Sequence, residues 1–128
     1  MRLLLDTHVW IWFVTGSGHL RKRVLRELND LNNELWLSPI STWEAIALHH
    51  KRRVHLEGGP EEWLERATAG TREAALTHEI VLMASGLPLH KDPADRFLAA
   101  TAMVLDLVLV TADVRLLGLG NLRTLANR

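Results

Sequence analysis

The chain of 128 residues contains no cysteine. That absence excludes disulfides, thiol nucleophiles and thiolate metal sites together, so any metal bound here must be held by oxygen or imidazole. There is also no run of eighteen apolar residues, and no membrane span is expected. Met1-Arg2-Leu3-Leu4-Leu5 meets Asp6 too soon to form the apolar region of a signal peptide, which points to a cytoplasmic protein. Nor is one sign of charge in excess: fifteen Lys and Arg balance fifteen Asp and Glu, so overall charge alone gives no reason to expect a nucleic-acid partner. What is present is an ordinary globular mixture, 48 % hydrophobic and 23 % charged, long enough for one domain with a substantial core.

Strand-like and helix-like stretches alternate along the chain. Arg2 to Leu5 is a short apolar run ending at Asp6, and no turn residue follows until Gly16, as for a buried strand running into a helix. Leu20, Val24, Leu25, Leu28 and Leu31 recur at the spacing of an amphipathic helix. Glu34 to Ser38 reads as a second strand, and Pro39 to His50 as a buried helix carrying Trp43, Ile46, Ala47 and Leu48. Gly58-Gly59-Pro60 is a breaker, and Glu61 to Ala69 a mainly polar helix with Trp63, Leu64 and Ala67 inward. A brief strand is expected at Glu73 to Leu76, then a helix capped by Thr77 and running through Ala84. Leu107 to Thr111 is the most strand-like run, followed by a short helix to Leu117 and an edge strand at Leu122 to Leu125. Strands separated by helices predict a three-layer α/β/α sandwich around a mainly parallel sheet of four to five strands, with ligands bound off the carboxyl ends of the strands.

The stretch His90 to Arg96 opens an apolar helix and carries two spare acids. Asp92 suits the N-cap and Pro93 the first helical position, which puts Asp95 at the third. Asp6 and Asp113 follow the two best strands, and Glu44 lies in the first turns of the helix after the second. Each acid has a local explanation: Asp6 and Asp113 as N-caps, Glu44 and Asp95 as halves of capping boxes with Ser41 and Asp92. Together they put four carboxylates at one sheet edge with no matching set of buried bases. Like charges so close raise one another's pKa unless a cation intervenes, and all-oxygen ligation favours Mg²⁺ or Mn²⁺.

Leu3-Leu4-Leu5-Asp6-Thr7-His8, Ser38-Pro39-Ile40-Ser41-Thr42-Trp43-Glu44, Asp92-Pro93-Ala94-Asp95-Arg96 and Val110-Thr111-Ala112-Asp113 occur in this order. The combination resembles the PIN-domain ribonucleases, especially the VapC-type toxins of bacterial toxin–antitoxin pairs, over nearly the whole chain. The resemblance implies a single PIN-like nuclease domain over residues 1–128 and a Mg²⁺- or Mn²⁺-dependent endoribonuclease. Its acidic quartet would correspond to Asp6, Glu44, Asp95 and Asp113. Ion held chiefly by Asp6 and Asp95, with Asp113 nearby, would activate water and neutralise the scissile phosphate. Glu44 would either bind the metal or orient the water, with Thr111 and Asp92 in support. The resemblance also implies RNA as substrate, an antitoxin protein received in a groove, and a homodimer.

Several side features bear on these roles. With four acids gathered in one pocket, the remaining surface is mildly positive, and Lys51, Arg52, Arg53 and Arg96 are candidate substrate contacts. Trp10, Trp12 and Trp43 read first as core, with a groove role implied by the resemblance. The histidines lack HExxH spacing, so zinc is not expected. Alternative functions are a non-toxin RNA-processing nuclease and an inactive RNA-binding module. A phosphatase with an aspartyl nucleophile at Asp6 would need a second acid two residues on, where His8 stands.

Overall fold

The computed structural model describes residues 1–89 and 92–128. His90 and Lys91, which open the stretch before Asp92, lie outside the described residues. Five strands form one sheet: β1 Arg2–Leu5, β2 Glu34–Leu37, β3 Thr71–Glu73, β4 Val108–Thr111 and β5 Thr124–Ala126. Their order is β3-β2-β1-β4-β5, and every pairing is parallel. The seven helices among the described residues are α1 Thr7–Thr15, α2 Lys22–Asn29, α3 Pro39–His50, α4 Pro60–Ala67, α5 His78–Ser85, α6 Pro93–Leu105 and α7 Val114–Leu117.

The apolar character of β1 follows from its place. It is the central strand, covered on both faces, so Leu3, Leu4 and Leu5 are all fully buried and need not alternate with polar residues. Leu3 and Leu5 join Val9, Trp10, Val24, Leu28 and Trp63 on one face, whereas Leu4 joins Leu98, Ala99, Ala102, Leu109 and Leu116 on the other. These two cores make the three-layer sandwich. The small buried residues Ala99, Ala100 and Ala102 let α6 lie close to its neighbours, and α5 packs on it through Ile80 and Ala84. α1 stops at Gly16, whose left-handed φ of 68° turns the chain where a β-carbon would be strained.

This topology fixes where a ligand can sit. From β1 the chain moves outward to β2 and β3, then returns to the other side of β1 for β4 and β5. The loops leaving β1 and β4 therefore diverge at their carboxyl ends, opening a crevice. Leu5 pairs with Val110, so Asp6 and Asp113 emerge beside each other.

Five expectations need correction. The third strand lies at Thr71–Glu73 and the fifth at Thr124–Ala126, each displaced by about two residues because a three-residue edge strand is fixed by its one neighbour more than by its own side chains. In α2 only Val24 and Leu28 are buried; Leu25 is exposed, and Leu31, fully exposed, lies beyond the helix end. Trp43 is not core: it is 66 % exposed, because α3 turns Ser41 and Ala45 inward. Trp10 contributes no groove surface, being fully buried with its indole N–H donating to the Ala67 carbonyl at 3.0 Å.

Candidate active site

Asp6 is the residue at which β1 becomes α1. As the N-cap, its Oδ1 accepts from the Thr7 backbone N–H at 2.8 Å, and its Oδ2 accepts from the Thr111 hydroxyl at 2.6 Å. Thr111, buried at the end of β4, also accepts from the Asp113 backbone N–H at 3.0 Å. One hydroxyl thus ties together the acids that leave two adjacent strands. Asp113 in turn caps α7 through the Arg115 backbone N–H at 2.9 Å. The local cap and the site are here the same side chains.

Glu44 comes from α3, whose N-cap is the buried Ser38; its hydroxyl accepts from the Ile40 N–H at 3.1 Å. Ser41 is therefore not a cap, and the capping-box explanation of Glu44 does not hold. The Glu44 carboxylate instead accepts from the hydroxyl of buried Thr7, which also lies 2.9 Å from Ser41 Oγ. Asp92 caps α6 through the Ala94 N–H at 3.0 Å and places Asp95 in the first turn.

These segments meet at a cavity of about 320 Å³ lined by Asp6, Glu44, Asp92, Asp95, Asp113, Arg115, His8 and Trp12, among others. A cavity of about 540 Å³ lies near the amino end of β4, but Asp106 is its only acid among the described residues. Chemistry rather than size distinguishes the acidic one. Burial pushes the Asp6 carboxyl above the usual range, against the pull of its bond from Thr111, with the nearby Asp113 charge adding to the rise. Burial likewise raises Glu44, with Asp6, Asp92 and Asp95 contributing. Both shifts record negative charge gathered where water is scarce.

Arg115 is the one lysine or arginine lining the cavity among the described residues. Its Nε and Nη2 donate to the two oxygens of Asp113 at 3.2 and 3.0 Å, and Nη2 lies 3.8 Å from Asp95 Oδ2. Among the described residues, no three His, Cys, Asp or Glu side chains are already grouped to hold a metal. The donors nevertheless suit a hard divalent cation in kind and charge, being oxygens that already draw in a guanidinium. Loading such an ion requires movement of side chains, and the exposed Arg115 guanidinium occupies two of the acids.

The other candidates lie apart from this cavity or at its rim. Arg96 uses its guanidinium on the Ala84 and Leu89 carbonyls, at 3.0 and 2.7 Å, which binds α6 to α5 and the segment after it. Lys51, Arg52 and Arg53 are exposed at the carboxyl end of α3, the end remote from Ser38. Trp12 is half-buried, with its ring stacked on His19 at 4.9 Å and near His8 at 5.9 Å. Thr7, Arg115 and His19 were not picked out by sequence reasoning. Thr7 had a usable signal, a hydroxyl directly after Asp6; the other two acquire their roles only through folding.

Comparison with known proteins gives consistent relationships. Residues 3–121 match the family profile of the PIN domain. Over 116 residues the chain is 31 % identical to Ribonuclease VapC22 of Mycobacterium tuberculosis, covering 89 % of this chain and 88 % of that protein. Its fold is similar to VapBC2 from Rickettsia felis, in a structure bound to a DNA fragment from their promoter. The TM-score is 0.76 at 16 % identity, with 98 % of each chain covered. It is also similar to FitAcB from Neisseria gonorrhoeae, with a TM-score of 0.71, 20 % identity, and 98 % and 97 % of the two chains covered.

Proposed function

The chain belongs to the PIN-domain family, and from that premise we propose that it is a divalent-metal-dependent endoribonuclease, the toxin of a toxin–antitoxin pair. The observation that carries this reading is the convergence of Asp6, Glu44, Asp95 and Asp113, from four separate segments, on one cavity at the divergence of β1 and β4. Similarity to a ribonuclease over most of both chains supports the reaction. The antitoxin partner rests on similarity to structures of toxin–antitoxin complexes.

Asp6, Asp95 and Asp113 would hold Mg²⁺ or Mn²⁺. Such an ion supplies charge neutralisation at the scissile phosphate and a more acidic water. The chain's own contribution is positioning. Thr111 fixes the outer oxygen of Asp6, and the cap of α7 fixes Asp113. Thr7 holds Glu44 across the cavity, where its carboxylate would either join the ligands of the ion or orient the attacking water and take its proton. Hydrolysis then breaks the phosphorus–oxygen bond opposite the entering oxygen. Trp12, which lines the cavity, and the exposed Trp43 are the candidate contacts for an antitoxin segment. The same reading includes a homodimer in the cytoplasm; no helix among the described residues is long and apolar enough to cross a membrane.

The purified chain should be incubated with mixed RNA and, separately, a phosphate-ester dye, each with Mg²⁺, Mn²⁺ or chelator. RNA fragments that form only with the ion are expected. Dye hydrolysis without RNA cleavage would select a phosphatase, and RNA binding without cleavage an inactive module.

A further inference from the structure

Arg115 has a placement that the nuclease chemistry does not explain. It stands in a four-residue helix, two positions beyond Asp113, and its guanidinium makes a two-point fork on the Asp113 carboxylate while reaching Asp95. Those are two of the three acids assigned above to the metal. The Arg115 side chain is 58 % exposed, so it can swing away without opening the core. The Arg115 backbone N–H holds Asp113 Oδ1 independently of the guanidinium, so the acid keeps its orientation when the side chain leaves.

A guanidinium fork and a hard divalent ion compete for the same carboxylate oxygens. Without either cation, the crowded acids would repel one another. Arginine's planar fork also fits a phosphate as well as it fits a carboxylate. We propose that Arg115 is a resident counter-ion that neutralises Asp95 and Asp113 before the divalent ion binds, is displaced by it, and then turns its fork to a phosphate of the bound RNA. This inference rests on the nuclease reading, its first half on the divalent-ion site and its second half on the RNA substrate; the geometry of the chain supplies the Arg115 contacts to Asp113 and Asp95.

The two halves predict effects of opposite sign, which a merely structural role would not produce. Each exposed ion pair is worth at most about fivefold in an equilibrium, so Arg115→Ala is expected to bind Mn²⁺ roughly three- to tenfold more tightly than the native chain in calorimetric titration without RNA. Arg115→Lys keeps the charge but loses the fork, and it should tighten Mn²⁺ binding as well, by less. In the presence of Ca²⁺, used to hold RNA uncut, Arg115→Ala should bind a single-stranded RNA oligonucleotide about tenfold more weakly by fluorescence anisotropy. Thermal melting of each variant within a few degrees of the native chain establishes that the fold is kept. Mn²⁺ affinity unchanged or weakened in Arg115→Ala overturns the counter-ion role. Tighter Mn²⁺ with unchanged RNA affinity overturns the phosphate contact, and an Arg115→Lys variant indistinguishable from native in Mn²⁺ affinity reduces the effect to net charge and overturns the displaced fork. A native chain that takes up Mn²⁺ in competition with Arg115 but cleaves no RNA would instead refute the nuclease reading and leave the counter-ion in place.

Discussion

At the scale of single residues, the acids are at once structural and chemical, and the two roles pull stability in opposite directions. Asp6 caps α1, yet burial raises its pKa above the unfolded value. A group raised in this way favours the folded state fully below its unfolded pKa, and that contribution is lost as pH rises through the folded pKa. Asp6→Asn keeps a capping side chain and removes the charge. It should therefore melt a few degrees higher than the native chain at pH 7 in chelator, with the difference shrinking toward pH 4, while RNA cleavage is lost. Scanning calorimetry at the two pH values checks the sign; a variant less stable at pH 7 would contradict it. The acids were legible in the sequence because each follows a strand or opens a helix. Thr7 was legible only as a hydroxyl beside Asp6, and Arg115 was not legible at all. The Thr7 contact to Glu44 joins positions 37 apart, and Arg115 has the look of an ordinary charge in a helical last turn.

At the scale of elements, capping converts sequence into geometry. Ser38 is buried and starts α3, the helix that carries Glu44. Ser38→Ala should cost about 1 kcal/mol in urea denaturation, by loss of the cap, and slow RNA cleavage by loosening Glu44. Stability and rate both unchanged would deny the helix start any part in positioning. Where a cap is followed by a Pro at the first position, α3 was read to the residue and α6 to its first residue. Periodicity failed where apolar residues surround a helix: α3 offers Trp43 and Ala45 as rivals for burial, and only packing against α1 and the sheet decides for Ala45. The edge strands β3 and β5 were displaced for a related reason, since each borrows its register from a single neighbour.

At the scale of the whole molecule, neutrality conceals a division of charge. The cavity gathers five acids, whereas Lys51, Arg52 and Arg53 are exposed beyond the far end of α3, about 10 Å along the helix from Glu44. A single RNA strand spanning both would bring phosphates to the acids and be held at a distance from them. Replacing all three basic residues with alanine should weaken RNA binding uniformly across sequences and reduce its salt dependence by up to about 0.7 per lost phosphate contact. An unchanged salt slope in anisotropy titrations would remove that loop from the RNA path. The parallel sheet and its two covered faces were legible from alternation alone, but the order of strands was not. Nothing local in β1 specifies that β2 lies on one side and β4 on the other, and that choice is what creates the crevice.

The convergence of the four acids is tested most directly at Asp95, which belongs to the segment farthest in sequence from Asp6 without being tied to it through Thr111. Single-turnover RNA cleavage should be measured for the native chain and Asp95→Asn, with Mn²⁺ and with chelator, alongside thermal melting. Cleavage by the native chain in Mn²⁺ only, and a loss of at least about a hundredfold in a variant that still melts cooperatively, is the predicted result. Native-rate cleavage by Asp95→Asn, or by the native chain in chelator, would contradict it.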